Sequence, residues 1–464
     1  MAIPPHEIAE RALEAASALD GAIAIVTASS RADLRWARTT LTTNGESHQT
    51  DLTLVGFRHT DGGMATATLS TSQPDAARVR ELADAVAAAL GSAPAADDAA
   101  PLVGPSGPGA SDWEDAAPRA SSADLAPLTG PLGALFTTFH GEGVELFGYA
   151  EHELETTWLA SATGIRLRHT QPSARLEMTA KSHARSRSSW WGASGDDFGR
   201  VDLLPAHREL RRALDWQAHR VQVPPGRHRA LLTPGAIGDL MVDLWWSASA
   251  REAVEGRSVF SAPGGGTRIG ERLTERHITL TSDPDDPAIP AADFLATAAS
   301  SDMASAFDNG VHLDRTDWLH DGVLARLLAS RRLAHDHALP FAASADALRM
   351  EDASGAGSID EVIARTGDGI LVNCLWYNRL VDPQTLLLTG LTRDGVYVIH
   401  GGEIVGATTN FRFNDSPVGI LGRISDAGAA VRTLPREMGD YAHRVVMPPV
   451  TVEDFHFSTV SDAL

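Results

Sequence analysis

Ile8, Ala12, Ala16 and Leu19 recur at near-helical spacing behind Pro4-Pro5, which predicts an amphipathic helix over about residues 5–19. Short β-like runs follow at 22–27, 34–37, 51–55 and 65–70, with Asn44-Gly45 and Asp61-Gly62-Gly63 as turn signals between them, so an antiparallel meander is expected. Val79, Leu82, Val86 and Leu90 mark a second helix over 75–90 and complete an N-terminal α+β domain at 1–90. Residues 91–125 are dominated by Ala, Pro, Gly, Ser and Asp without apolar periodicity, the composition of a flexible connector.

Alternating apolar runs at 144–149, 156–160, 165–169 and 175–179 predict a central β-rich segment over 126–225. The C-terminal domain, 226–464, opens on the strand Ala230-Leu231-Leu232. Thr233 then stands where a helix N-cap belongs and Pro234 at the first helical position. The helix is expected to reach about Val254, with Ile237, Leu240, Met241, Leu244, Trp245 and Ala248 inward and Gly256 closing it. Strands are predicted at 278–281, 369–375, 385–391, 395–400 and 403–405. The fold class is therefore α+β: an N-terminal α+β domain with an antiparallel sheet, then a larger β-rich domain with one long buried helix.

The 464 residues are enough to bury several cores, and no short period suggests a fibrous chain. Sixty acidic against 39 basic residues leave a net charge of −21, which argues against nucleic acid as a partner. Lys181 is the only lysine, and it lies in no glycine-rich phosphate loop. A single cysteine, Cys374, forms no internal disulfide and fits a reducing compartment. The N-terminus lacks the order of a signal peptide, and the most apolar helical stretch is broken by Asp239 and Asp243, so no membrane segment and a cytoplasmic location are expected.

No G-x-S-x-G nucleophile elbow or G-x-G-x-x-G dinucleotide loop occurs in the chain, and its 18 histidines form no H-E-x-x-H zinc motif. His335-Asp336-His337 reads as a solvated polar turn, although on an extended strand both rings would share a face. Glu142, Glu145, Glu151, Glu153 and Glu155 read as the solvent face of a sheet, with cation or basic-peptide binding the alternative. Cys374, in the run Ile370 to Leu375, reads as a buried, inert thiol, and Trp190-Trp191 and Trp245-Trp246 as core or interface anchors.

The order of whole segments says more than any of these. Ala24-Ile25-Val26-Thr27, Leu34-Arg35-Trp36-Ala37, Leu41 to Gly45, Leu159 to Arg166, Ser258-Val259-Phe260, Phe307 to Gly310, Leu388-Thr389-Gly390 and Asn410 to Pro417 together resemble the TldD/PmbA family, also called the modulator-of-gyrase or U62 peptidase family. The resemblance implies two related subunits: a TldD type carrying H-E-x-x-x-H on a helix and acting as a zinc protease, and a TldE (PmbA) type that lacks the motif and pairs with the first. With Gly235 and Gly238 matched to the glycines before that motif, its first His falls on Val242, its Glu on Asp243 and its second His on Ser247. No histidine occurs anywhere from Leu231 to Gly256.

The resemblance thus implies a non-catalytic, TldE-like subunit of a heteromeric cytoplasmic zinc metalloprotease. No catalytic or metal-binding residue and no cofactor is expected in this chain; zinc is expected in a TldD-like catalytic partner. Extended or unfolded peptides and leader peptides are the implied substrates. Arg166, Arg168, Arg412 and Asn414, beside Gly or Pro turns in the matched segments, are the candidate peptide-binding groups. The alternatives are an autonomous metallopeptidase with a divergent site drawn from residues such as His140, Glu142 and His152, and a non-enzymatic regulatory homodimer.

Overall fold

The computed structural model describes residues 3–107, 109–199 and 202–461. The N-terminal half is organised by one antiparallel sheet of six strands, in the order Gly63–Ser72, Thr40–Thr60, Gly21–Ala37, Glu145–Ser161, Arg166–Ser182 and Arg187–Gly195. The helices Pro5–Ala15 and Ala76–Leu90 lay Ile8, Ala12, Val79, Leu82 and Val86 on Ala24, Val26, Leu52 and Leu54 of its face. The first ends four residues short of expectation; the second is capped by Asp75, which accepts from the N–H groups of Ala77 and Arg78 at 2.9 Å.

Asn44-Gly45 is not a turn. The first hairpin turns at Arg38 and Thr39, both left-handed with φ of 51° and 61°, as a two-residue loop with the matching twist requires. Asn44 and Gly45 instead pair with Leu34 and Asp33 inside a 21-residue strand. Asp61-Gly62 does turn the chain, between strands ending at Thr60 and starting at Gly63.

Strand Gly21–Ala37 pairs with Glu145–Ser161 from Ile23 opposite Ser161 to Trp36 opposite Gly148, so residues 1–90 and 126–225 build a single sheet across the intervening segment. Far from hanging free, that segment is fastened to the sheet. Ala120 is buried, its N–H donates to Ser30 Oγ at 2.8 Å and its carbonyl accepts back from that hydroxyl. Trp158 Nε1 donates to the Trp113 carbonyl at 3.0 Å, and Ala110 N–H to that of Arg166 at 2.8 Å. These bonds join residues far apart in sequence, which is why composition alone suggested flexibility.

Two helices that the sequence reading does not predict, Ala126–Gly141 and Leu204–Trp216, cover the other half of the sheet. Gly130, Pro131 and Gly133 mask the first, yet Leu128, Leu132, Leu135 and Phe139 hold helical spacing and are all buried.

The C-terminal half contains a closed ring of strands. Gly226–Leu232 runs parallel to Gly369–Asp382 and antiparallel to Val450–Ser461; Asn410–Asp415 and Leu387–His400 continue the ladder, and the last pairs back with Gly369–Asp382. Phe411, Phe413, Phe455 and Phe457 are fully buried there, with neighbouring ring centroids 5.0–5.7 Å apart. A second six-stranded sheet runs Val323–Leu324, Thr316–His320, Ile278–Ser282, Leu348–Asp352, Val445–Met447, Val431–Thr433. The helix Pro234–Trp246 lies between ring and sheet, in contact with Gly369–Asp382 on one side and Val445–Met447 on the other.

That helix stops before its expected end at Val254. Ser249 caps a separate helix, Ala250–Val254, by accepting from Glu252 N–H, and Gly256 follows with φ of 74°. His335-Asp336-His337 closes a short helix, Arg331–His337, capped by Ser330, rather than forming a turn. Its histidines remain exposed at the surface.

Candidate functional site

Thr233 starts the central helix as its composition requires: its hydroxyl accepts from Ala236 N–H at 3.2 Å and donates to the Asn373 carbonyl at 2.6 Å. Gly235 and Gly238 let the segment 434–438 lie close. A Cβ on Gly235 would sit 3.1 Å from the Leu434 carbonyl, and one on Gly238 3.2 Å from the Pro435 ring.

Val242 is fully buried in the apolar core with Ile237, Leu240 and Met241. Ser247 ends the helix, its N–H bonded to the carbonyls of Asp243 and Leu244 at 3.1 and 3.2 Å. Asp243 and, one turn earlier, Asp239 form a separate stripe of the same helix. Asp239 is fully buried; one oxygen accepts from the N–H groups of Glu437 and Met438 at 2.9 and 3.0 Å, and the other has no partner. Burial pushes its carboxyl well above the usual range, against the pull of those two bonds. The Asp243 carboxyl is raised to about 7, chiefly by burial, with Glu437 adding to the shift and Asn378 and Arg379 opposing it. Asn378 donates to Asp243 at 3.4 Å, and its own side-chain oxygen is unpartnered.

These residues do not fit a catalytic zinc. Structural and catalytic zinc sites are built from imidazole, thiolate and carboxylate donors with outer partners to orient them. Val242 offers no donor, and the carboxylates beside it are held toward neutrality by burial. Among the described residues no group of three or more His, Cys, Asp or Glu side chains is arranged to hold a metal ion. Glu142 lies 3.5 Å from His207, and His152 lies 3.9 Å from Asp124, so Glu142 and His152 have separate partners.

Two cavities flank this helix region and share Trp190 as a wall. One, of about 490 Å³, opens at the helix N-terminus between Trp191, Trp216, Thr233 and Gly235. Its sides include the edge strands of both six-stranded sheets, Arg187–Gly195 and Val431–Thr433. The other, of about 570 Å³, is lined by Arg31, Tyr149, Glu151, Arg175, Arg436 and His443. Arg436 lies between the rings of Trp190 and Trp376, 5.0 and 5.2 Å from their centroids. Glu151, expected on a solvent face, is buried here: Arg31 pairs with it at 3.1 Å, the Tyr149 hydroxyl donates to it, and burial still raises its carboxyl. Burial likewise pushes the His443 imidazole down.

The arginines singled out from sequence lie elsewhere. Arg166 grips Glu10 with two bonds of 2.6 and 2.7 Å, and Arg168 donates to Asp112 at 2.5 Å while covering the Trp158 ring. Both fasten other segments to the first sheet. Arg412 and Asn414 are on the ring; Arg412 is exposed, and Asn414 has an unpartnered side-chain oxygen. Cys374 is buried, donates to the Arg393 carbonyl at 2.9 Å, and has its thiol pushed up by burial. The residues that sequence reasoning missed, Asn378, Arg436 and Glu437, reach the helix from loops and strands more than a hundred positions away, and no local pattern marks them.

A helix carrying Thr233-Pro234, buried between a ring of strands and a mixed sheet, with a second, long-stranded sheet ahead of it in the chain, places the molecule among known folds. Residues 225–459, just over half the chain, match the family model described as the PmbA/TldA metallopeptidase C-terminal domain, and the chain belongs to the TldD/PmbA family. It is similar in structure to TldE from Thermococcus kodakarensis, at 13% identity over 97% of this chain and 98% of that one, with a TM-score of 0.75. Two proteins titled as modulators of DNA gyrase are also similar. That from Bacteroides thetaiotaomicron has a TM-score of 0.76 at 13% identity, covering 98% of both chains. That from Thermotoga maritima has 0.72 at 14%, covering 97% of this chain and 99% of its own. At such identities the likeness is one of fold. No curated protein matches the chain. Among the described residues, no helix is long and apolar enough to cross a membrane.

Proposed function

We propose that this chain is the non-catalytic, TldE-like subunit of a cytoplasmic heteromeric zinc metalloprotease, and that a TldD-like partner supplies the metal. The observation that carries the reading is Val242: the position matched to the first zinc-ligating histidine is an alkyl group sealed in the core. Asp243 and Ser247, at the other two matched positions, are bound into the helix and its surroundings.

The role left to such a subunit is to shape the space in which a peptide is presented. An extended or unfolded peptide adds to an exposed sheet edge through main-chain hydrogen bonds, with little demand on its sequence. The edge strand Arg187–Gly195, beside the 490 Å³ aromatic cavity, supports that mode over its second half, since the main chain of Ser188 and Trp190 is already bonded to the Gln217 and Asn373 side chains. Arg412 and Asn414 are proposed to touch the same peptides from the ring, whereas Arg166 and Arg168 are committed to Glu10 and Asp112.

The test is hydrolysis of an unfolded protein or leader peptide by this chain, by a family member bearing H-E-x-x-x-H, and by their mixture. Activity that requires the mixture is expected; activity of this chain alone, at the rate of the mixture, would overturn the proposal.

A further inference from the structure

The turn after strand Arg166–Ser182 meets the ring of strands and encloses a cavity of about 320 Å³. Into it face the chain's only lysine, Lys181, together with Arg185 and Arg220. Arg220 bridges the two walls through carbonyls, donating to Thr408 at 3.2 Å and Ser186 at 3.4 Å, and among the described residues no carboxylate takes its charge. Glu145 stands opposite Lys181 in the ladder, but Arg185 holds it with two bonds of 2.7 and 3.2 Å. The one acidic residue on the lining, Asp394, accepts from Ser188 Oγ at 2.6 Å and lies 2.9 Å from Arg436. Its charge is therefore already met.

Among the described residues, two cations without direct carboxylate partners are thus left around one cavity of a chain that carries a net charge of −21. The wall also holds a polar group in want of a partner: the Thr408 hydroxyl is buried with none. A buried hydroxyl left unsatisfied carries an uncompensated desolvation cost, which a ligand oxygen would remove. A guanidinium has five N–H donors, and Arg220 spends two of them on carbonyls. The chain's overall negative charge does not oppose binding here, because charges beyond about 10 Å are screened at 0.1 M salt.

We propose that this cavity binds a small oxyanion-bearing molecule, a phosphate or a carboxylate, held by Lys181, Arg220 and the Thr408 hydroxyl. The volume is at the lower end of ligand pockets, which start at about 300 Å³, so the oxyanion is the head of a small organic molecule rather than of a polymer. Gly395, Val396 and Ala407 form the apolar part of the lining against which the remainder would rest.

A single lysine makes the test clean. An amine-reactive reagent labels only Lys181 and the α-amino group, which peptide mass spectrometry separates, so the α-amino group serves as the internal reference. Labelling is followed with inorganic phosphate, with acetate, and with chloride at the same ionic strength. Protection by phosphate or acetate beyond chloride is expected, slowing Lys181 by about elevenfold at ten times Kd while the α-amino group is unaffected. Which anion protects tells a phosphate site from a carboxylate site. Thr408→Val, which keeps the side-chain shape, should weaken that protection, and Arg220→Ala should abolish it. Equal labelling in phosphate, acetate and chloride would overturn the proposal, as would protection that survives undiminished in both variants.

Discussion

On the first sheet, Arg166 and Arg168 meet Glu10 and Asp112 in charge-paired bonds of 2.5–2.7 Å, whereas on the central helix Asp239 and Asp243 meet only backbone N–H groups and one amide at hydrogen-bond distance. The first arrangement fixes segments to a scaffold. The second stores two carboxyl groups in a place that disfavours their charge, so protonation and stability are linked there. The difference separates charge that holds the fold together from charge whose state depends on its surroundings.

The largest effect should come from removing the acceptor on the helix. Asp239→Ala leaves the N–H groups of Glu437 and Met438 unpaired in a buried place and opens a void, and should cost about 2–4 kcal/mol in denaturant unfolding. Asp239→Asn keeps an oxygen acceptor in the same position and should cost under about 1 kcal/mol. Equal losses in the two variants would contradict a neutral, bond-accepting role.

Next comes pH. The Asp243 carboxyl is raised to about 7 in the folded chain and is near its ordinary value when unfolded, so between those values the folded state binds the extra proton. Stability from this group is therefore full below the unfolded value and falls as pH rises toward 7, by about 2–3 kcal/mol between pH 5 and pH 8. Asp243→Asn should flatten that part of the profile. A variant whose melting temperature follows the parent's pH dependence would show that Asp243 does not carry it.

Smaller effects belong to the sheet. Arg168→Ala removes a nearly buried guanidinium and its bond to Asp112, and should cost about 1–3 kcal/mol. It should also speed proteolytic cleavage within 91–125, since that bond ties the segment down. The smallest is expected at Arg412, which is exposed and makes one 3.4 Å side-chain contact, with Thr389. Arg412→Ala should change stability by less than about 0.5 kcal/mol and lower peptide turnover by the assembled complex. Unchanged turnover would remove Arg412 from the peptide contacts.

The same contrast explains what could be read from the sequence. Thr233-Pro234 and the period of Val79 to Leu90 act within a few residues, and the helices they predict are present. The order of segments likewise pointed to the family. Closure of the ring, by contrast, depends on strands from Gly226 to Ser461 finding one another, and nothing in a window of ten residues encodes that. The packed course of 91–125 rests on Ser30, Trp158 and Arg166, all outside it. Asn44-Gly45 carried a strong local turn signal that lost to the left-handed pair Arg38-Thr39 and the continuous ladder around it. At the helix, the resemblance matched the family's motif positions to Val242, Asp243 and Ser247, whereas Asn378, Arg436 and Glu437 become neighbours only through the fold.

The most direct test of the central claim is zinc binding by the isolated, folded chain, measured by equilibrium dialysis with metal analysis. The account predicts no stoichiometric zinc, with zinc appearing only when the H-E-x-x-x-H-bearing partner is added. One tightly bound zinc per isolated chain would contradict it, and would place a metal site in residues other than Val242, Asp243 and Ser247.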